Sequence, residues 1–377
     1  MVEVLLVVGL AVAVFVGFNI GGSSTGVAFG PAVGSGVVSK LTAAALMTAF
    51  ALLGGWIVGP NVIETMGGEI VTQRFTLLAS VIVLFFVGLA LLVSNTFGVP
   101  ASTSMTAVGA IAGLGVARGT LNEGKMLEIV SWWIVAPILA FWVCAMIGRY
   151  VYPYLDARFA IDRTEGSVVE FTPLPRRAPG TSWREFGGTV AVVAIGCYMA
   201  YAAGASNAAN AVAPLVGGGF IDVGVGVVVA CGAIGLGAFT IARRTLDTVG
   251  NDLTDLPLLA ALIVEVVSAS IITFLSQIGI PASLAVSATM CIVGLGWGRA
   301  TRTVTIGDAM RGRGPDVSVN ALTAETKKVK PMGKEDEELI AGDLFDPGTT
   351  GRVIFFWILT PSLSAVASFL LFALTPV

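Results

Sequence analysis

The chain has 377 residues, of which 55% are hydrophobic and only 12% charged, with a mean hydropathy of +0.90. Soluble domains carry about 25% charged residues, so half the charge needed to cover a water-facing surface is missing, and the chain reads as a multi-pass protein of the cell membrane. It has no histidine, which excludes imidazole acid–base chemistry, imidazole ligation of haem and histidine-built zinc sites; its four cysteines stand singly in apolar runs, and a net charge of −3 gives no sign of a nucleic-acid partner.

Windows of about 20 apolar residues predict bilayer-crossing helices. They fall at Val2–Phe18, Leu41–Val58, Phe75–Val93, Met126–Tyr152, Gly187–Ala203, Phe220–Ala242, Leu256–Gln277 and Val353–Leu374. The first lacks a small-residue cleavage site and runs on into further apolar sequence, so it is expected to be a retained span. Between the spans lie four shorter stretches rich in Gly, Ser, Thr and Pro: Asn19–Gly36, Gly98–Gly115, Gly204–Gly219 and Gly279–Gly296. They are too polar to face lipid and too apolar for surface loops. Irregular backbone at membrane depth is tolerated only where it is buried in protein or lines a cavity, so these stretches are expected to be broken or re-entrant and to carry the function.

The chain also repeats itself. Ala28–Gly36 aligns with Ala211–Gly219 at an offset of 183, and Glu64–Gly67 aligns with Asp247–Gly250 at the same offset. Gly98–Ser102 aligns with Gly279–Ser283, and Gly113–Gly115 with Gly294–Gly296, at an offset of 181. Single matches between apolar segments are weak, but collinear blocks with a two-residue drift mark an internal duplication. The expected fold is an all-α polytopic membrane protein of two homologous repeats. An odd number of crossings in each unit would make the repeat inverted. The expected organisation is a first transmembrane repeat over 1–152, a polar linker over 153–185 and a second transmembrane repeat over 186–300. A solvated charged loop over 301–351 and a C-terminal transmembrane helix over 352–377 follow. Duplicated halves with interrupted segments at corresponding places are a mark of secondary transporters, whose substrate sits between the broken helices.

At the four short stretches the sequence resembles the PiT family of inorganic phosphate transporters, which are cation-coupled symporters. That family carries G-x-N-D-x-A-N-x-x-G in each half and V-G-S-G after the first copy. Here the second copy reads Gly204-Ala205-Ser206-Asn207-Ala208-Ala209-Asn210, and the first reads Gly21-Gly22-Ser23-Ser24-Thr25-Gly26-Val27, followed by Val33-Gly34-Ser35-Gly36. The family's P-x-S-T-T element is similar to Pro100-Ala101-Ser102-Thr103-Ser104 and is eroded in Pro281-Ala282-Ser283-Leu284-Ala285. A family Glu falls at Ala51, and the signature Asp is absent from both halves, replaced by Ser24 and Asn207. Asn19-Ile20-Gly21-Gly22-Ser23 also resembles the sulfate-permease branch of the family.

The resemblance implies an oxyanion substrate, and the residues suggest how it is held. None of the four stretches contains Lys or Arg. A dehydrated dianion must therefore be compensated by backbone N–H groups at half-helix N-termini and by short polar side chains. The candidates are Ser23, Ser24, Thr25, Ser102, Thr103, Ser104, Ser206, Asn207, Asn210 and Ser283. Phosphate carries a proton near pH 7 that a carboxylate can accept, whereas sulfate carries none and a carboxylate repels it. The family favours phosphate and the missing Asp pair favours sulfate; the expected function is a secondary transporter of inorganic phosphate or a similar oxyanion, coupled to Na⁺ or H⁺, with a sulfate permease of the same family as the alternative.

No cofactor is called for beyond Na⁺ or H⁺ as coupling ion, and no metal beyond Na⁺. Candidate coupling residues are Glu265, the one carboxylate well inside a span, with Asn19 and the matched pair Glu64 and Asp247, which serve equally well as helix caps. The expected partners are the oxyanion and the lipid bilayer, with self-association as a homo-oligomer left open. Two other classes compete. An intramembrane hydrolase using Ser102 or Ser283 lacks a base, and a passive anion channel would use the same donors without a coupling ion.

Overall fold

The computed structural model describes residues 2–96, 102–158, 169–172, 174–177, 183–242, 258–301 and 347–375. Apart from one hairpin and short connections these are helical. The first half contains α1 (Val2–Gly34), α2 (Lys40–Ile57), α3 (Gly59–Glu64), α4 (Leu77–Thr96), α5 (Thr103–Arg118), α6 (Glu123–Met146) and α7 (Tyr152–Arg158). Single π turns follow α3 and α6. The antiparallel pair β1 (Val169–Thr172) and β2 (Leu174–Arg177) lies in the linker. The second half contains α8 (Trp183–Gly217), α9 (Val223–Thr240), α10 (Leu258–Gln277), α11 (Leu284–Ala300) and α12 (Pro347–Leu374). Eight helical segments among the described residues are long and apolar enough to cross a membrane, one for each predicted span. Lipid offers no hydrogen bonds, so each must satisfy its backbone internally, as a helix does.

The duplication extends to whole elements. Shifting α2 by 183 residues gives the bounds of α9, and shifting α4 by 181 gives those of α10. Packing partners exchange in the same way: α1 packs on α9 as α8 packs on α2, and α5 packs on α12 as α11 packs on α6. Two pairs of glycines make the inner crossings. A Cβ on Gly21 would stand 1.9 Å from the Ile234 carbonyl oxygen, and one on its equivalent Gly204 would stand 2.0 Å from that of Ala51. At these backbone-to-backbone contacts no other residue fits.

Directions follow from the contacts. Gly9 of α1 lies against Leu215 near the end of α8, and Phe29 near the end of α1 lies against Gly196, so these equivalent helices run in opposite senses. The α4–α5 hairpin enters and leaves at one end of the bundle. There Thr72 N–H donates to the Thr120 carbonyl and Asn122 N–H to that of Ile70, while Lys125 pairs with Glu69 at 2.9 Å and with Glu128 at 3.1 Å. Its far end reaches Asn19, midway along α1, where Asn95 donates to the Asn19 carbonyl and side-chain oxygens. The α10–α11 hairpin approaches from the other end: α11 closes beside the end of α6, and the Gln277 carbonyl of α10 accepts from Asn61. The described inner ends of α4 and α5 therefore meet the turn between α10 and α11 inside the bundle.

One expectation needs correction. Two of the four short stretches are not irregular: Asn19–Gly34 continues α1 and Gly204–Gly217 continues α8. Their hydroxyls fold back onto the helix, Ser23 donating to the Ile20 carbonyl (3.1 Å) and Thr25 to that of Gly21 (2.7 Å). Their glycines serve helix crossings rather than breaks. The other two behave as expected where described: residues 278–283 are non-helical, and α5 and α11 start inside the bundle.

Candidate functional site

The helices α5 and α11 begin at the equivalent residues Ser102 and Ser283, both extended and in N-cap position. Ser283 Oγ accepts from Val286 N–H, whereas Ser102 makes no such cap. The first backbone N–H groups of a helix have no partner within it, and the helix dipole adds a partial positive charge there. Here two such ends converge. Between them and the midsections of α1 and α8 lies a cavity of about 20 Å³, lined by Ser23, Ser24, Val27, Thr103, Asn207, Ser283, Leu284 and Ala285. It has room for about one water.

The cavity sits where the two halves meet. Asn207 Nδ2 approaches Ser24 Oγ at 3.5 Å, and these residues are 183 positions apart, the repeat offset itself. Equivalent positions touch each other only on the axis relating the halves. Around Asn207 the hydrogen bonding is dense. Thr103 Oγ1 donates to Asn207 Oδ1 at 2.7 Å, and Asn210 Nδ2 approaches Asn207 Oδ1, Ser104 Oγ and Thr103 Oγ1 at 3.0, 3.2 and 3.3 Å. Ser206 Oγ donates to the Ala282 carbonyl at 2.9 Å and lies 3.4 Å from Ser104 Oγ. This network fastens α8 to both hairpin tips. Asn210 Oδ1 and Ser102 Oγ are buried and have no hydrogen-bond partner among the described residues.

Five of the ten residues predicted to bind substrate line the cavity: Ser23, Ser24, Thr103, Asn207 and Ser283. Ser104, Ser206 and Asn210 stand behind them in the network, and Ser102 is buried at the α5 cap. Thr25 lies outside the lining, its hydroxyl committed to Gly21. Of the coupling candidates, Asn19 is buried against Asn95, Glu64 is exposed at the end of α3, and Asp247 lies outside the described residues. Glu265 is 4% exposed in α10, and its Oε1 has no partner among the described residues. Val27, Leu284 and Ala285 were missed by residue chemistry, although the repeat marks them as the counterparts of Asn210, Thr103 and Ser104. Among the described residues no cluster of His, Cys, Asp and Glu could hold a metal ion.

The chain as a whole is similar to known proteins. Residues 20–368 match the phosphate transporter family. The sulfate permease CysP of Bacillus subtilis (strain 168) is 30% identical over 286 residues, covering 75% of each chain. A Chlamydia pneumoniae protein provisionally named as a phosphate permease is 23% identical over 390 residues, covering 80% of this chain and 92% of the other. The solved structure of a sodium-dependent phosphate transporter shares the fold with a TM-score of 0.71 at 17% identity, across 98% of both chains. Eight candidate spans, an architecture shared end to end with a solved transporter and a match across nearly the whole sequence agree: the chain is a multi-pass membrane protein of the phosphate transporter family.

Proposed function

We propose that this chain is a secondary transporter of divalent oxyanions that takes sulfate in preference to phosphate, working by alternating access of two inverted repeats. The carrying observation is the make-up of the cavity: two helix N-termini converge on it, and its lining residues include neither a carboxylate nor a cation. Sulfate accepts hydrogen bonds through all its oxygens and donates none, so a pocket of hydroxyls, amides and free N–H groups suits it. Phosphate near pH 7 brings a donor that a carboxylate satisfies best, and both family carboxylates are replaced here. The sulfate permease relative points the same way. Phosphate remains the second reading, favoured by the family's description and the Chlamydia relative.

A cavity with room for about one water is smaller than a dehydrated tetrahedral anion, so loading requires the hairpin tips to draw apart. The opposed senses of α1 and α8 support inversion, the arrangement that lets one hairpin gate each side. We assign proton coupling to the buried Glu265, and we place Na⁺ coupling, where it operates, near Asn19 rather than at the exposed Glu64 or at Asp247.

The test is uptake of radiolabelled sulfate and phosphate by the purified protein in proteoliposomes, with Na⁺ and pH gradients imposed separately. Sulfate should accumulate above its electrochemical equilibrium under one of these gradients. Ser24→Ala and Asn207→Ala should lose uptake while remaining in the membrane. Downhill flux alone would identify a passive channel, and accumulation of phosphate without sulfate would reverse the preference.

A further inference from the structure

The repeat makes the two sides of the cavity comparable position by position, and they differ. Thr103 and Asn210 are hydrogen-bonded to each other and to Asn207, and Asn210 also donates to Ser104. Their equivalents across the axis are Leu284, Ala285 and Val27, and all three of these line the cavity. The polar side presents hydroxyl and amide groups. The opposite side presents Ser23, Ser24, Ser283 and the backbone of the first turn of α11, but at these three positions its side chains are hydrocarbon. An anion seated on the axis can have its oxygens bonded from the polar side and from the helix ends, and turns one vertex toward Leu284 and Val27.

For sulfate that vertex is a strongly hydrated oxygen, and burying it against hydrocarbon forfeits hydrogen bonds that water supplied. A tetrahedral dianion with sulfur at one vertex loses less, because sulfur is a weak acceptor, more polarisable and at ease against aliphatic groups. We propose that the site accepts sulfur-substituted tetrahedral dianions, with thiosulfate as the representative, at least as well as it accepts sulfate, and that Leu284 is the side chain that sets this preference. The inference rests on the oxyanion reading of the cavity given above and adds which vertex of the anion the protein leaves unbonded.

The test uses the full chain in proteoliposomes, with uptake of labelled sulfate and labelled thiosulfate each competed by the other unlabelled anion. Thiosulfate should halve sulfate uptake at a concentration no higher than unlabelled sulfate requires. Leu284→Thr restores the hydroxyl of the opposite side and should shift the ratio toward sulfate by about fivefold. Ala285→Ser, the smaller change, should move it in the same direction. If thiosulfate competes less well than sulfate in the unaltered chain, the proposal is overturned. An unchanged ratio in both variants, with transport retained, overturns the role of Leu284. Failure of the oxyanion reading looks different: neither anion is then taken up by the unaltered protein.

Discussion

Asn207→Asp places a carboxylate where the family carries one, and the structure indicates what it would do. Asn207 Oδ1 already accepts from Thr103 at 2.7 Å and from Asn210 at 3.0 Å, and a carboxylate oxygen accepts both equally well. Only the long 3.5 Å approach to Ser24 is lost. The fold loses about 1 kcal/mol or less for one weak hydrogen bond, and burying a carboxylate at a residue only 3% exposed adds a desolvation cost that the two accepted hydrogen bonds offset in part. The anion will not tolerate the change. A unit charge about 4 Å from another repels it by about 4 kcal/mol at an effective dielectric of about 20, and a dianion doubles that. Even if a bound cation and relaxation remove more than half, the roughly 3 kcal/mol left is more than a hundredfold in sulfate affinity. Phosphate escapes part of the penalty, because its own proton can bridge to the carboxylate in a charge-assisted hydrogen bond of about 1.5–3 kcal/mol. Paired uptake of the two labelled anions by wild-type and variant proteoliposomes should show the sulfate-to-phosphate ratio falling at least about tenfold. An unchanged ratio in a well-folded variant, or a rise in sulfate uptake, would refute the argument that the uncharged pocket selects sulfate.

Other outcomes follow from single contacts. Gly204→Ala drives a methyl to 2.0 Å from the Ala51 carbonyl oxygen and should cost about 3 kcal/mol or more through forced separation of α2 and α8. It would be read as a lowered midpoint of thermal unfolding in detergent, against Gly68→Ala, where the added methyl meets nothing within 4 Å. Ser102→Ala removes a buried hydroxyl that has no partner among the described residues, so stability should hold or rise slightly, whereas transport should fall if that oxygen serves the anion or its coupling ion. Glu265→Gln should leave sulfate exchange between equilibrated compartments intact and abolish acceleration by an imposed pH gradient. Retained acceleration would remove Glu265 from the coupling path.

Periodicity and composition made the spans legible, because a lipid-facing helix must be apolar along its length; all eight predicted spans coincide with candidate membrane-crossing helices. The repeat was legible for a different reason. Gly21, Gly204 and the Gly36–Gly219 pair of positive-φ turns are fixed by close backbone approach and backbone conformation, neither of which admits another residue readily. What composition concealed was the path of the backbone through the Gly/Ser stretches. The same glycines and serines suit a broken helix and a tightly crossed one, and only the neighbouring helix decides between them. At Asn19–Gly34 and Gly204–Gly217 the neighbours α9 and α2 decided for continuity. The site was half legible on similar grounds. Polar residues announced Thr103 and Asn207, but Leu284 looks like any other membrane leucine until the repeat sets it opposite Thr103.

The anion is expected at one location, between the N-termini of α5 and α11 and against Ser24 and Asn207. Selenate is a close structural substitute for sulfate whose selenium scatters anomalously, so a crystal grown with it reads that location directly. A single anomalous peak is expected within hydrogen-bond distance of Asn207 and of the first backbone N–H groups of both helices. A peak elsewhere, with this cavity holding only water, would contradict it.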